Sequence, residues 1–289
     1  MTPEQTAEAV AALLRETLPA GFELFGFCPL QGLGELLPVR GRERVQALAD
    51  AGGWSILFAV PYAVRTPASG NVARYAWPDD YHVLLPALLA PAAGALRRAF
   101  PEAEILAPTA DTTPLPEVRA AVLAGLGFRG RSGRLITPQW GSEVFLCEIV
   151  TGLRLAPLRP PVRRNCGKCE RCLAACPTGA LTQGGLDRSL CLSHITQKKG
   201  KLTAWEQEMI RRSGCAWGCD RCADACPYNQ NLPETPAAAF RENLCPMVRA
   251  EELDALLRRK SYGWRGAAVM RRNLALLSGG GDAAGGAKD

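Results

Sequence analysis

Apolar and polar residues alternate over the first half of the chain in a pattern that predicts helices and strands in turn. The tetrapeptide TPEQ at residues 2–5 is typical of a capped helix start with proline in the first turn, and the amphipathic helix is expected to end near Leu18. Further helices are predicted over residues 80–100 and 115–126, and strands over the apolar stretches 22–27, 54–60, 105–106 and 144–150. This alternation predicts an α/β layered domain over residues 1–155.

The composition changes in the second half of the chain. Residues 156–165 (APLRPPVRRN) are proline-rich and basic, which is typical of a linker. Closely spaced cysteines occupy residues 166–235, residues 236–277 are basic and predicted to be helical, and the Gly/Ala-rich end at 278–289 is predicted to be disordered. The expected fold class is therefore α+β, with the layered domain followed by a cysteine-rich domain and a short helical segment.

Length and composition limit the class of protein. The 289 residues are 47% apolar and 21% charged, which is enough to bury a sizeable core. No apolar run approaches the roughly 18–20 residues of a membrane span, and the N-terminus has neither the basic start nor the apolar run of a secretion signal. We therefore expect a cytoplasmic protein with no membrane partner, in which twelve cysteines favour metal binding over disulfides.

The cysteines follow the spacing of a two-cluster ferredoxin. The run C-x2-C-x2-C-x3-C-P at residues 166–177 is the bacterial pattern, in which three thiolates hold one 4Fe–4S cluster and the fourth binds the other cluster. The second run, at residues 219–227, lacks one cysteine, and Cys191 and Cys215 compete for that place. With Cys191 preferred, the predicted ligands are Cys166, Cys169, Cys172 and Cys226 for cluster one, and Cys176, Cys219, Cys222 and Cys191 for cluster two.

Two further readings concern the remaining thiols and the charge. A zinc site is the alternative for CxxC pairs, but the crossed array with two Cys-Pro ends is far more specific for clusters. Cys28, Cys147 and Cys245 are expected to be structural.

Residues 1–150 carry a net charge of −3 and residues 151–289 carry +9. That basic half could face a polyanion such as RNA or compensate anionic clusters, and charge leaves both open. If RNA is the partner, the candidates for phosphate contacts are Arg258, Arg259, Lys260, Arg271 and Arg272 on the C-terminal helices, and Arg163, Arg164, Lys198 and Lys199 beside the cluster domain.

Several motifs together resemble one family. They are DTTPLPE at 111–117, AGLGFRGRS at 124–132, GSEVFLCEI at 141–149, DYH at 80–82, CLSHIT at 191–196 and GCDRC at 218–222. In this order they resemble the epoxyqueuosine reductases, and the likeness runs from about residue 20 to 277. That family consists of cytoplasmic enzymes that carry base-off cobalamin and two 4Fe–4S clusters and reduce epoxyqueuosine in tRNA to queuosine. They are akin to reductive dehalogenases.

The resemblance implies roles for particular residues and partners. Asp111 matches the family's proton donor and is expected to be desolvated enough to carry a proton near neutral pH. Cys191 matches the cysteine that completes the second cluster. The partners implied are the anticodon stem-loop of tRNA and a low-potential electron donor such as ferredoxin or flavodoxin. The residues expected beside cobalamin are Tyr81, His82, Arg131, Ser132 and Ser142.

The sequence departs from the family pattern in places. Pro78-Asp79 replaces Gly-Arg, Arg131-Ser132 replaces Lys-Asn, and His194 replaces a tyrosine. The family's C-terminal helical-repeat domain, which helps to hold tRNA, is expected to be absent. We therefore keep two alternatives, namely a cobalamin-dependent reductase of a small molecule and a non-enzymatic 4Fe–4S electron carrier.

Two motifs invite other interpretations. The stretch 125–130 fits GxGxxG, but it follows a predicted helix rather than a strand, which disfavours a nicotinamide site. The DYH sequence at 80–82 suggests the cobalamin-binding motif in which a histidine ligates cobalt. That motif has a glycine three residues after the histidine, where this chain has Leu85. We therefore expect His82 to neighbour the corrin rather than to bind cobalt.

Overall fold

The computed structural model describes residues 1–65 and 69–279. Its fold is a mixture of helices and short strands. Its strands are β1 (Phe25–Pro29), β2 (Trp54–Pro61), β3 (Phe128–Arg129), β4 (Leu135–Ile136), β5 (Val144–Thr151), β6 (Leu181–Thr182) and β7 (Gly185–Leu186). Its α-helices are α1 (Pro3–Thr17), α2 (Arg42–Asp50), α3 (Tyr81–Ala99), α4 (Glu117–Leu123), α5 (Arg171–Ala174), α6 (Leu192–Gln197), α7 (Ala204–Ser213), α8 (Arg221–Asp224), α9 (Leu253–Leu256) and α10 (Ala267–Leu277).

A three-stranded antiparallel sheet forms the centre of the first half. The strand order is β1–β2–β5, so that Phe58 of β2 lies between Phe25 and Cys147. The middle strand is buried on both faces because its run ILFAV at residues 56–60 is apolar throughout, and two separate hydrophobic clusters pack on its two sides. Helices α1 and α3 cover one face, and α2 and α4 cover the other.

Local signals explain the two helices on the first face. The predicted reciprocal cap at the start of α1 is confirmed, because the Thr2 hydroxyl accepts from the Gln5 amide and the Gln5 side chain accepts from the Thr2 amide. Helix α3 begins after Asp80, whose carboxylate accepts from the His82 amide. This cap fixes the direction of the first turn of α3, which carries Tyr81 and His82 into the candidate site.

Three predictions of secondary structure were wrong in part. The first strand begins at Phe25 rather than at residue 22, since Phe22 is buried in the core outside the ladder. Ile105 forms only an isolated bridge with Thr151. The segment 236–277 is helical only in short pieces up to α10. Helix α2 was missed because its sequence RERVQALAD is mostly polar and buries one narrow stripe.

The cysteine-rich region packs directly against the first half. One hydrophobic cluster joins Val72 and Trp77 to Trp217, Tyr262 and Met270. The backbone adds to this contact, because the Ala73 amide donates to the Trp217 carbonyl at 2.8 Å. The domain boundaries given above remain a prediction. The predicted disordered end lies outside the described residues, apart from residues 278–279. Among the described residues, no helix is long and apolar enough to cross a membrane.

Candidate functional site

A wide cavity opens where the first half meets the cysteine-rich region. Its volume is about 400 Å³. Its walls come from the first turn of α3, the loop before α4, strand β5, helix α6 and the segment 261–265. Four of the residues predicted for the site line this cavity, namely Tyr81, His82, Asp111 and Ser142.

Asp111 is held by two neighbours from α3. Its Oδ2 accepts from the Tyr81 hydroxyl at 3.0 Å and lies 3.3 Å from Nε2 of His82. The backbone of Asp111 has φ 55°, a left-handed conformation that non-glycine residues rarely adopt. Its side chain is 61% exposed, so the expectation that Asp111 is desolvated was wrong for this structure. The strained backbone instead presents the carboxylate to the cavity.

His82 lies between two carboxylates. Its Nδ1 is 2.7 Å from Oδ1 of Asp80, and its Nε2 faces Asp111. Burial alone would lower the pKa of His82, but the hydrogen bonds to Asp111 and Asp80 overcome burial and raise the pKa to about 9. The imidazole is therefore protonated near neutral pH and has no lone pair left for a metal.

An aromatic stack forms one wall beside these groups. The Tyr81 ring is stacked on Phe145 of β5, with centroids 4.4 Å apart and planes 15° from parallel. Its other neighbour is the His82 ring at 4.0 Å. Burial, followed by the negative charge of Asp111, raises the pKa of Tyr81 far above its ordinary value. Tyr81 is therefore a neutral hydrogen-bond donor to Asp111.

Two buried carboxyl groups lie behind Asp111, and the sequence did not single them out. Glu117 Oε1 accepts from the Asp111 amide at 2.9 Å, and Glu148 of β5 is completely buried. Burial and then the charge of Glu148 raise the pKa of Glu117 well above its ordinary value, and burial raises the pKa of Glu148 to about 7. A glutamate inside an otherwise apolar strand was the available signal for Glu148.

The far wall of the cavity adjoins the cysteines. Arg134 lines the cavity, and its guanidinium donates to the Cys219 carbonyl at 3.4 Å. Ser193 and Gln197 also line it, and both belong to α6, which begins directly after Cys191. The residues predicted for cluster two are therefore next to the cavity.

The eight predicted ligands are partly exposed free thiols. Burial and then the charges of Cys166 and Cys169 raise the pKa of Cys226. Burial raises the pKa of Cys222, and the charge of Arg134 opposes this effect. The charges of Cys191 and Cys176 raise the pKa of Cys222 further. Burial and then the charge of Cys222 also raise the pKa of Cys172, which is predicted to bind the other cluster. The cysteines of the two runs therefore lie near one another, and the assignment of each cysteine to a cluster remains a prediction.

Cys191 and Cys215 differ in their surroundings. Cys191 lies close enough to Cys219 and Cys222 to raise the pKa of both thiols, although burial is the larger cause for each. Cys215 instead donates its thiol hydrogen to the carbonyls of Trp217, at 3.2 Å, and Gly218, at 3.3 Å. Burial and then the charge of Cys219 raise the pKa of Cys215 as well. The preference for Cys191 as the eighth ligand therefore remains a prediction.

Arg131 and Ser132 do not line the cavity. Arg131 turns toward the first cysteine loop, where its guanidinium donates to the Gly167 carbonyl at 2.8 Å and its amide donates to the Cys166 sulfur at 3.4 Å. The hydroxyl of Ser142 lies at the opposite edge and accepts from the Asn229 side chain at 2.9 Å. The roles of these three residues remain predictions.

Two basic residues that the sequence suggested for phosphate binding are engaged inside the protein. Lys260 is 2% exposed, and its ammonium donates to the Trp77 carbonyl at 2.8 Å and lies 3.1 Å from Asp79. The guanidinium of Arg272 donates to the backbone carbonyls of Lys198 and Gly200. For these two residues that interpretation was wrong, because their charges hold the C-terminal segment in place.

Fold and site together define an iron–sulfur protein with a ligand cavity beside its cysteines. A domain family described as a 4Fe–4S double cluster binding domain matches residues 165–229. This match covers all eight predicted ligands, from Cys166 to Cys226. The predicted two-cluster domain is confirmed at this level.

Known proteins identify the family. The epoxyqueuosine reductase of Bacillus anthracis is 31% identical over 229 residues, which are 75% of this chain and 58% of that protein. The epoxyqueuosine reductase of a Synechococcus strain is 31% identical over 94% of both chains. The chain belongs to the epoxyqueuosine reductase family, and it spans about three-fifths of the length of the first relatives that it matches.

Solved structures share the fold. The epoxyqueuosine reductase of Streptococcus thermophilus has a TM-score of 0.76 and 25% identity, covering 93% of this chain and 80% of that one. An epoxyqueuosine reductase solved with an epoxyqueuosine-modified tRNA stem loop has a TM-score of 0.79 and 24% identity, with coverage of 96% and 81%. A reductive dehalogenase described with B12-dependent dehalogenation has a TM-score of 0.53 and 18% identity, with coverage of 94% and 38%.

Proposed function

We propose that the protein is a cobalamin- and 4Fe–4S-dependent reductase that converts epoxyqueuosine to queuosine in tRNA. The observation that carries this proposal is the cavity, which joins a proton-bearing group, Asp111 with His82 and Tyr81, to the cysteines of a cluster across a single wall. A reductase needs electrons and protons at one place. This arrangement provides for both.

The cavity has the size and the mixed polar and aromatic lining of a cofactor site. Its volume of about 400 Å³ lies within the roughly 300–1,000 Å³ of small-molecule and cofactor sites. The stacked Tyr81 and Phe145 rings give it a flat wall, and the Ser261 hydroxyl, which lines it, is buried without a hydrogen-bond partner among the described residues. Because both ring nitrogens of His82 face carboxylates, His82 would not be a ligand of cobalt, which suits the base-off form. Reduced corrin cobalt is a strong electron donor.

Electrons would enter through the cysteine-rich region. The ligands of cluster two, Cys176, Cys191, Cys219 and Cys222, adjoin the cavity through Arg134 and α6, and those of cluster one, Cys166, Cys169, Cys172 and Cys226, lie beyond them. Exposed Arg163, Arg164, Lys168 and Arg171 surround the first cysteine loop. We infer that this basic rim receives an acidic low-potential donor such as flavodoxin or ferredoxin.

Protons would be delivered by the pair of His82 and Asp111. The protonated imidazole donates to the Asp111 carboxylate, so the proton lies between two groups that line the cavity. Substrate binding would exclude water from Asp111, which strengthens this hydrogen bond and favours transfer to the departing oxygen. In this scheme Asp111 is the catalytic acid, His82 supplies its proton, and Tyr81 orients it.

The tRNA part of the proposal rests on the relatives and on charge. A family structure contains a modified tRNA stem loop, and residues 151–289 carry a net charge of +9. Arg258 and Lys199 are exposed and join Arg163 and Arg164 as candidates for phosphate contacts. Lys260 and Arg272, which the sequence suggested for RNA binding, form contacts inside the protein. We therefore assign phosphate binding to the exposed residues instead.

The proposed function is tested by turnover. Protein loaded with clusters and cobalamin would be mixed anaerobically with an epoxyqueuosine-containing anticodon stem-loop and a chemical reductant. Wild type should form queuosine, and Asp111→Asn should retain clusters and corrin while losing at least roughly a hundredfold in rate, since general acids contribute about 10²–10⁴. Equal rates for wild type and Asp111→Asn would contradict the assignment of Asp111.

A further inference from the structure

The reduction needs more protons than the pair of His82 and Asp111 holds. Conversion of an epoxide to an alkene breaks two C–O bonds, forms one C=C π bond and two O–H bonds, and releases water. It consumes two electrons, which the low-potential donor supplies through the clusters, and two protons. The imidazolium of His82 accounts for one proton per turnover. The second proton needs another source that reaches the same cavity.

We propose that Glu117 and Glu148 share one proton and deliver it through the cavity as the second proton of the reduction. The inference rests on the proposed function. Glu117 is the member of the pair that delivers the proton, because it lines the cavity and its carboxyl accepts a hydrogen bond from the Asp111 amide at 2.9 Å. Glu148 lies behind Glu117 and holds the proton in reserve. It is fully buried on β5 and cannot contact the substrate. Glu148 therefore acts through Glu117.

The contacts of Glu148 account for only one of its two carboxyl oxygens. Its Oε1 accepts from the Thr109 hydroxyl at 2.7 Å. Its Oε2 is buried and accepts no hydrogen bond of good geometry among the described residues, although the Thr113 hydroxyl and the Glu117 carboxyl are near enough to lower the pKa of Glu148 against the larger effect of burial. A buried carboxylate oxygen without a donor is costly, whereas a carboxylic acid can donate its own proton to a neighbouring carboxylate. A proton shared with Glu117 removes this cost.

The charges around the pair favour one shared proton. The titratable groups that face it are Asp111 from the loop before α4, Tyr81 from α3 and the thiol of Cys147 on β5, all of them acidic. Within the described part of the chain, no lysine, arginine or histidine forms an ion pair with either glutamate. Two carboxyl groups so placed cannot both ionise, as in carboxylate dyads. The retained proton is available because burial raises the pKa of Glu148 to about 7, close to neutral pH.

The proton store can be tested without turnover. Infrared spectra of cluster-loaded protein with ¹³C-labelled glutamate would be recorded as a function of pH, without cobalamin or RNA. Wild type should show the band of a protonated glutamate near pH 6, and this band should weaken as the pH rises through about 7. This band should be absent in Glu117→Gln/Glu148→Gln and unchanged in Glu102→Gln, a matched change at an exposed position. A wild-type protein without the band would overturn the inference.

A second measurement tests delivery. In wild type, the single-turnover rate should fall as the pH rises above about 7. In Glu148→Gln this fall should be absent, and the rate below pH 7 should be roughly tenfold lower than in wild type. A Glu148→Gln profile that matches wild type would also overturn the inference. If wild type shows the infrared band but no reaction with the stem-loop, the proposed function fails while the shared proton stands.

Discussion

The pKa of His82 tests the electrostatics of the site directly. The two carboxylates raise it from an ordinary 6.5 to about 9 against the opposing effect of burial. At about 1.36 kcal/mol per pKa unit, they stabilise the imidazolium by roughly 3 kcal/mol in net terms. The side chain is only 22% exposed, so solvent screens little of this interaction. Replacing Asp111 by Asn removes one of the two anions and should lower the pKa by about one unit or more.

The assay is a pH titration followed by NMR of histidine-labelled, oxidised, cluster-loaded protein. The chain has two histidines, His82 and His194, so a His194→Gln variant assigns the spectrum. One resonance should titrate near pH 9 in wild type and clearly lower in Asp111→Asn. The raised pKa of His82 also stabilises the folded protein. This contribution is fully present below pH 6.5 and is lost as the pH rises to about 9. A wild-type titration near 6.5, or no change in Asp111→Asn, would refute the reasoning.

Three further outcomes are expected. Cys191→Ala should lower the iron content from about eight to about four per chain, whereas Cys215→Ala should leave it unchanged; the reverse result would make Cys215 the ligand. Lys260→Met should lower the free energy of unfolding in urea by about 1–3 kcal/mol, because the Trp77 carbonyl loses its donor while Asp79 keeps Arg259 at 2.9 Å, and Arg258→Met should change it by less than about 0.5 kcal/mol. RNA affinity should fall with salt by about 0.7–0.9 log units per log salt for each phosphate contacted, and Arg163→Ala should reduce that slope; an unchanged slope would place the contact elsewhere.

The signals that the sequence carried were local or covalent. A reciprocal cap and an amphipathic stripe predict α1 to within a residue, and an apolar run predicts β2. Cysteine spacing predicts the two-cluster domain because one loop must wrap one cluster. These features depend on residues a few positions apart, so they can be read without the fold.

The parts that escaped prediction depend on distant contacts. Arg134 and Glu148 acquire their places only when the cysteine-rich region docks on β5 and the loop before α4 crosses it. Lys260 looked like a solvated cation because burial against Trp77 joins residues 183 positions apart. Asp111 was predicted to be desolvated, yet its left-handed backbone keeps it at the open side of the cavity.

The central claim is tested most directly by the mass of the RNA product. An epoxyqueuosine-containing stem-loop would be incubated anaerobically with reductant and three preparations of the wild-type protein, which carry clusters and cobalamin, clusters alone, or cobalamin alone. The account predicts that the stem-loop loses one oxygen atom only with the doubly loaded protein, and that the alkene is formed. An unchanged mass with the doubly loaded protein, or equal conversion when either cofactor is missing, would contradict it.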